Sequence, residues 1–201
     1  MQNELLIVEE NMNKIIKKPL FWGLVSLAIV LLTTGTIIVY SIMNTTINGF
    51  ITTLPSSSME NTIMTNDKIA GIKNAYKNNN PKRGDIIAFR FPDNENDVFV
   101  KRIIGLPGEI VHIKKGKIYI NYSEESLKED YLKEEWIECN NYDEPFIVPK
   151  DSYFCLGDNR NVSNDSRFWN NKYVNRNQII AKIEEVISPK SHAKELKTPQ
   201  Y

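Results

Sequence analysis

Three consecutive serines, Ser56, Ser57 and Ser58, follow Pro55. A serine hydroxyl is a weak nucleophile and needs a base beside it. The proline fixes one backbone dihedral and biases Leu54 toward extended structure, so the serines sit on a stiffened approach. Taken alone, a serine tripeptide reads as loop or linker; its surroundings raise the catalytic reading. The choice of base is narrow. His112 and His192 are the only histidines, the first in an expected strand and the second in a polar tail, and a Ser-His-Asp set is hard to build from them. Lys101 is the alternative. Strand residues two apart share a face, so Phe99, Lys101 and Ile103 point one way and Val100 and Arg102 the other. A lysine among apolar neighbours either snorkels from an edge strand, where it discourages aggregation, or is desolvated. Burial disfavours the charged form and brings a lysine within reach of base chemistry. Serine with lysine is a known variant of the triad logic. A third polar cluster runs from Gly157-Asp158-Asn159-Arg160 through Ser163, Asp165, Ser166 and Arg167 to Trp169. Its Asp, Asn and Ser content suits a loop held by side-chain hydrogen bonds, with Asp165 and Arg167 able to pair.

These groups need elements to position them. Residues 20–43 form a run of 24 without charge, 17 of them apolar. As a helix the run is about 36 Å long, against a bilayer core of about 30 Å. Trp22 and Tyr40 stand near its ends, where aromatic rings favour the interface. Lys14, Lys17 and Lys18 precede it and the next basic residue is Lys68. The positive-inside rule therefore expects residues 1–19 in the cytoplasm and 44–201 outside. The run is too long for the apolar region of a cleaved leader, and no small-x-small site follows it. No charge occurs from Pro19 to Met59, and Ile47, Phe50, Ile51, Leu54 and Met59 are expected to hold the chain at the outer membrane face before the serines.

Beyond the serines the pattern is of short strands. They are expected at 67–72, 85–91, 98–104, 109–113 with 117–121 as a hairpin, 146–148, 153–156 and 178–187. Residues 123–136 are highly charged and read as a helix or an excursion. The tail from Ser188 is polar and reads as frayed. The fold class is mostly β: an antiparallel β-sheet domain tethered by one N-terminal transmembrane helix. With 25 basic and 25 acidic residues the net charge is zero, so no basic field points to nucleic acid. Cys139 and Cys155 show no metal spacing, and whether they pair stays open.

Three segments in order resemble the boxes of the bacterial type I signal peptidase family. Pro55-Ser56-Ser57-Ser58-Met59-Glu60-Asn61-Thr62-Ile63 is similar to its P-S-x-S-M-x-P-T-L box. Val100-Lys101-Arg102-Ile103-Ile104-Gly105-Leu106-Pro107-Gly108-Glu109 is similar to its V-K-R-x-x-G-x-P-G-acid box, and Gly157 to Arg167 to its G-D-N-R-x-x-S-x-D-S-R box. The resemblance covers residues 20–187. It implies Ser58 as nucleophile and Lys101 as general base. It implies Ser56 as oxyanion partner of the Ser58 N–H, and Ser163 as the hydroxyl orienting the lysine. Asp165 with Arg167 would be a supporting ion pair, and Asp158 and Arg160 structural positions. The implied substrates are secretory preproteins with A-x-A-like sites, met at the plasma membrane and near the translocation machinery, with membrane lipid as surroundings and no cofactor. Asn61 stands where the family has Pro, expected to loosen the segment. Asn66 stands where Gly is common, and Asn tolerates positive φ there. Two other readings remain: a non-catalytic membrane-tethered β module that binds exported chains, and a self-cleaving Ser-Lys protease.

Overall fold

A computed structural model describes residues 18–137, 142 and 144–201, with residues 5, 8, 9, 12 and 14–16; the side chains of residues 42–47 are not described. Cys139 lies outside the described residues. The chain divides into two compact units, Met1–Ile47 and Asn48–Tyr201.

The first unit carries helix α1 (Pro19–Asn48). Its segment Pro19–Ser41 has a mean hydropathy of 2.1 and is long and apolar enough to cross a membrane. Several of its hydroxyls are satisfied locally. Ser26 donates to the Gly23 carbonyl at 2.8 Å, and Thr33 and Thr34 to the Val30 carbonyl at 2.9 Å. A helix closes its own backbone bonds, and these hydroxyls find acceptors on it too, as lipid requires.

The second unit is mostly antiparallel β. Among the described residues its strands are β1 (Gly49–Thr53), β2 (Lys68–Lys73), β3 (Ile86–Phe91), β4 (Asn94–Gly105), β5 (Ile110–Lys114), β6 (Lys117–Ile120), β7 (Phe146–Ile147), β8 (Ser152–Leu156), β9 (Val174–Asn175), β10 (Ile179–Ser188) and β11 (Lys194–Glu195). One sheet runs β1-β2-β10-β3-β4-β8-β9, with β11 on β10; a second runs β6-β5-β7. All the expected strands form. The sequence reading missed β1, β9 and β11. β1 pairs with β2 from Gly49↔Ile72 to Thr53↔Lys68, and so ends one residue before Leu54.

That pairing changes the account of the uncharged approach. Leu54 and Met59 are buried in a core with Ile63, Ile69, Val100 and Val186, and Phe50 packs against it, while Ile51 stays exposed. These apolar residues build the sheet's own interior. Residues 123–136 form no helix; they are an excursion of turns, bends and irregular chain. The tail is not frayed either. Leu196 packs on the first core, and Thr198 donates to Asp85 at 2.9 Å. His192 Nδ1 lies 2.8 Å from Asp67, and the Tyr201 hydroxyl donates to that of Tyr131 at 3.0 Å. Polar composition concealed this because the tail is held by hydrogen bonds to residues distant in sequence. Cys155 is free and fully buried.

Candidate active site

The serine segment turns sharply between β1 and β2. Met59 and Ile63, both fully buried, plug into the core from this turn, and the Ile63 N–H donates to the Met59 carbonyl at 2.8 Å. Burying two such side chains contributes roughly 3–6 kcal/mol in transfer free energy. That anchor holds the neighbouring Ser58 in place. A second hold comes from the loop after β8. The Asn159 N–H donates to the Ser58 carbonyl at 3.0 Å and its side-chain amide to the Ser57 carbonyl at 3.0 Å.

Lys101 lies in β4, which is flanked by β3 (Ile87↔Lys101) and β8 (Arg102↔Leu156). The edge-strand reading therefore fails: this lysine is interior and only 4% exposed. Its Nζ donates to Ser58 Oγ at 2.7 Å and to the Val100 carbonyl at 3.2 Å. The Phe99 ring centroid is 5.5 Å from Nζ, and Phe99 stacks on Phe91 at 4.4 Å with Trp169 edge-on to both. Burial among these groups lowers the Lys101 pKa to about 8, although the Asp165 carboxylate opposes the fall. Ser56 Oγ is 3.1 Å from Ser58 Oγ.

Asp165 and Arg167 pair as the sequence suggested, with Nε–Oδ1 at 2.7 Å and Nη2–Oδ2 at 2.8 Å, both groups buried. Asp165 also accepts the Gly157 N–H at 3.0 Å. Asp158 and Arg160 are buried but do not pair with each other. Asp158 receives Arg102 through both oxygens, at 2.8 and 2.6 Å, and the Thr62 hydroxyl at 2.5 Å. Arg160 goes to Glu129 and to the Gly157 carbonyl. Ser163 is buried beside Gly157, and its hydroxyl has no hydrogen-bond partner among the described residues. Orientation of the Lys101 amine by Ser163 remains an expectation from the resemblance.

Sequence reasoning gave no role to Arg102, Asn159, Glu129 or Gly157. Arg102 was visible as the residue after Lys101, on the opposite face. Its burial needed Asp158, 56 residues on, and no local pattern announces that.

Asn61 reverses an expectation. Its φ is +82° and that of Asn66 is +67°. Asn66 keeps the turn, as its tolerance of positive φ suggested. Asn61 does not loosen the segment: its side-chain amide donates to the Tyr131 and Leu132 carbonyls at 3.1 and 3.2 Å. Proline, locked near −65°, does not fit this backbone. Asn61→Pro is expected to cost about 1–3 kcal/mol and to lower turnover; a melting curve and a cleavage assay on the same protein check both.

Lining residues from three chain segments, Leu54–Ser58, Val98–Lys101 and Val162 with Asn164, enclose a cleft of about 260 Å³. On one side of β4, β3 pairs with residues 98–102; β8 begins its pairing only at Arg102. The backbone at 98–100 therefore has an open side next to Ser58.

The family model described as signal peptidase, peptidase S26, matches residues 24–188. Signal peptidase I of Leptolyngbya laminosa is 38% identical over 157 residues, covering 73% of this chain and 72% of that protein. The probable signal peptidase I-2 of Synechocystis is 40% identical over 134 residues, covering 64% of this chain and 58% of that protein. Signal peptidase I of Pseudomonas aeruginosa is 30% identical over 159 residues, 60% and 55% respectively, so the chain spans little more than half the length of the last two. A crystal structure of a signal peptidase I from Enterococcus faecalis aligns at 37% identity over 54% of this chain and 97% of that one, with a TM-score of 0.42. The matched region contains Ser58, Lys101 and the loop from Gly157 to Arg167, and most of the sequence with them: the chain belongs to the signal peptidase family, peptidase S26.

Proposed function

We propose that this chain is a membrane-anchored serine endopeptidase that removes N-terminal signal peptides from exported preproteins. The observation that carries the reading is the buried contact of 2.7 Å between Lys101 Nζ and Ser58 Oγ, at the positions matching the family's nucleophile and base. Residues 1–19 are cytoplasmic, 20–43 cross the membrane, and 44–201 lie outside it.

The chemistry follows from the contacts. Neutral Lys101 takes the Ser58 proton along the existing hydrogen bond, and Ser58 Oγ attacks the scissile carbonyl. The Ser56 hydroxyl, now on Ser58 Oγ, turns to the oxyanion together with the Ser58 N–H. The lysine, now an ammonium, protonates the leaving amine, and water then releases the acyl-enzyme with Lys101 again as base. The substrate lies extended and pairs with the open side of residues 98–100, as peptides do on exposed sheet edges. The small cleft suits short side chains at P1 and P3. Asp165–Arg167 and Asp158–Arg102 keep the framework rigid, and Ser163 orients the amine.

The test uses the full chain in detergent micelles with a preprotein bearing an A-x-A site, product N-termini being read by mass spectrometry. Ser58→Ala is expected to cleave nothing. Ser56→Ala is expected to lose about 10²–10³ in kcat, the usual cost of one oxyanion donor. Cleavage by Ser58→Ala at the wild-type rate overturns the mechanism; a wild type that binds the preprotein but never cuts it favours a binding module instead.

A further inference from the structure

Glu129 and Tyr131 lie in the charged excursion between β6 and β7, where composition alone suggests solvated surface. The Glu129 side chain is nonetheless only 6% exposed, against 1% for that of Arg160. Resting on the peptidase reading above, we infer that Glu129 and Tyr131 are positioning residues for the Ser58–Lys101 pair, which they do not touch.

Three routes run from this short segment to the reacting groups. Glu129 accepts two bonds from Arg160, at 3.0 and 2.5 Å. Arg160 Nε donates to the Gly157 carbonyl at 3.0 Å, fixing the loop whose Asn159 holds the Ser57 and Ser58 carbonyls. Tyr131 donates its hydroxyl to Glu129 at 2.6 Å, and the Arg102 guanidinium lies over its ring at 4.0 Å. Arg102 adjoins Lys101 in β4. The Tyr131 and Leu132 carbonyls accept the Asn61 amide, three residues after Ser58. The nucleophile turn, the strand of the base and the loop after β8 thus all converge on residues 129–132.

The electrostatics say what failure does. Arg160 is 3% exposed. Besides Glu129 it has the Gly157 carbonyl and, at 5.1 Å, the Trp136 ring. Without the carboxylate the guanidinium is a buried charge that has lost its hydrogen-bonded counter-ion and keeps only the weaker attraction of the Asp158 carboxylate, and such a charge moves toward water. The loop carrying Asn159 moves with it, and Ser58 loses its register against Lys101. A merely structural role lowers stability and leaves the folded enzyme's turnover alone. A positioning role lowers kcat in folded protein, because small misplacements of reacting groups are costly.

The experiment uses the full chain in micelles and a synthetic peptide spanning a small-x-small site, well below the melting temperature. Glu129→Gln is expected to lower kcat about 10–100-fold, with KM within about threefold, and Glu129→Asp to recover part of that loss. Tyr131→Phe keeps the ring over Arg102 and loses the bonds to Glu129 and from Tyr201; it is expected to stay folded with a melting temperature a few degrees lower and to lower kcat a few-fold. Folded Glu129→Gln with wild-type kcat, or with a change in KM alone, overturns the inference. If Glu129→Gln does not fold, Tyr131→Phe decides, and its wild-type kcat overturns it. Ser58→Ala is run alongside: inert, it leaves the peptidase reading standing whatever Glu129 does, and active, it removes that reading first.

Discussion

Lys101→Met is expected to abolish cleavage and at the same time to make the protein more stable at pH 7. The activity half follows from the base. General-base catalysis contributes about 10²–10⁴, and the methionine thioether sulfur is far too weakly basic to take the Ser58 proton. On the proposed mechanism the neutral fraction of Lys101 sets the wild-type rate. With the pKa lowered to about 8 by burial, about one molecule in ten carries the neutral amine at pH 7, against fewer than one in a thousand for a solvated lysine. Wild-type kcat/KM is therefore expected to rise about tenfold from pH 6 to pH 7, to bend near pH 8, and to level above it. A rate that is flat from pH 6 to 9 contradicts Lys101 as the base.

The stability half follows from the same burial. Lys101 holds its proton to about pH 8 in the folded state and to about 10.5 when unfolded. Between those values the unfolded chain binds more protons, so stability contributed through this group rises with pH across the window. Below pH 8 the cost is fully developed, at about 3 kcal/mol. Methionine fills the same apolar space beside Phe99 without that cost. It forfeits the hydrogen bonds to Ser58 and to the Val100 carbonyl, each worth about 1 kcal/mol, and Ser58 keeps its contact with Ser56. The net gain is about 1 kcal/mol at pH 7. It is read as a melting temperature a few degrees higher in micelles, with the gap to wild type narrowing as pH passes from 8 toward 10. An unchanged or lower melting temperature at pH 7 rules out a desolvated lysine. The site accepts this instability because the chemistry needs it, a common exchange of stability for activity.

Much of this site is legible in the residues, and the reason is local. A strand's alternation puts Lys101 on an apolar face with Phe99 and Ile103 whatever the rest of the chain does; that Ser58 is the nucleophile and Lys101 its base is what the resemblance of the short boxes around them implies. What stays hidden depends on partners far away in sequence. Arg102 and Asp158 are 56 residues apart, and Glu129 and Arg160 are 31 apart. A glutamate in a charged stretch looks like surface until its arginine is in place. The tail after Ser188 and the strand Gly49–Thr53 were misread for the same reason. Polar or uncharged composition sets neither burial nor pairing; the neighbouring strands β2 and β10 do.

Gly157→Ala is the smallest change expected to disable the site. The pattern G-D-N-R places a glycine there, but its reason is spatial. A Cβ at Gly157 would stand 2.2 Å from Ser163 Oγ, 2.6 Å from Ser163 Cβ and 2.4 Å from the Ser58 carbonyl oxygen. The first contact is cheap to relieve, since the Ser163 hydroxyl has no partner to lose. The third is not. The Ser58 carbonyl is backbone, held by the Asn159 N–H at 3.0 Å, and it cannot rotate aside. Either the nucleophile turn or the loop after β8 must retreat by several tenths of an ångström or more. Forcing extra carbon into a packed site costs about 1–3 kcal/mol. A displacement of about 1 Å at reacting groups costs about 10²-fold in rate. Gly157→Ala should therefore remain folded and lose at least about 10²-fold in kcat. The double change Gly157→Ala with Ser163→Gly separates the contacts. It removes both Ser163 atoms and leaves the Ser58 carbonyl in the way, so it should turn over at least about 10²-fold more slowly than Ser163→Gly alone. A double variant as fast as Ser163→Gly alone would show that Ser163, not the nucleophile's own backbone, is what requires a glycine there.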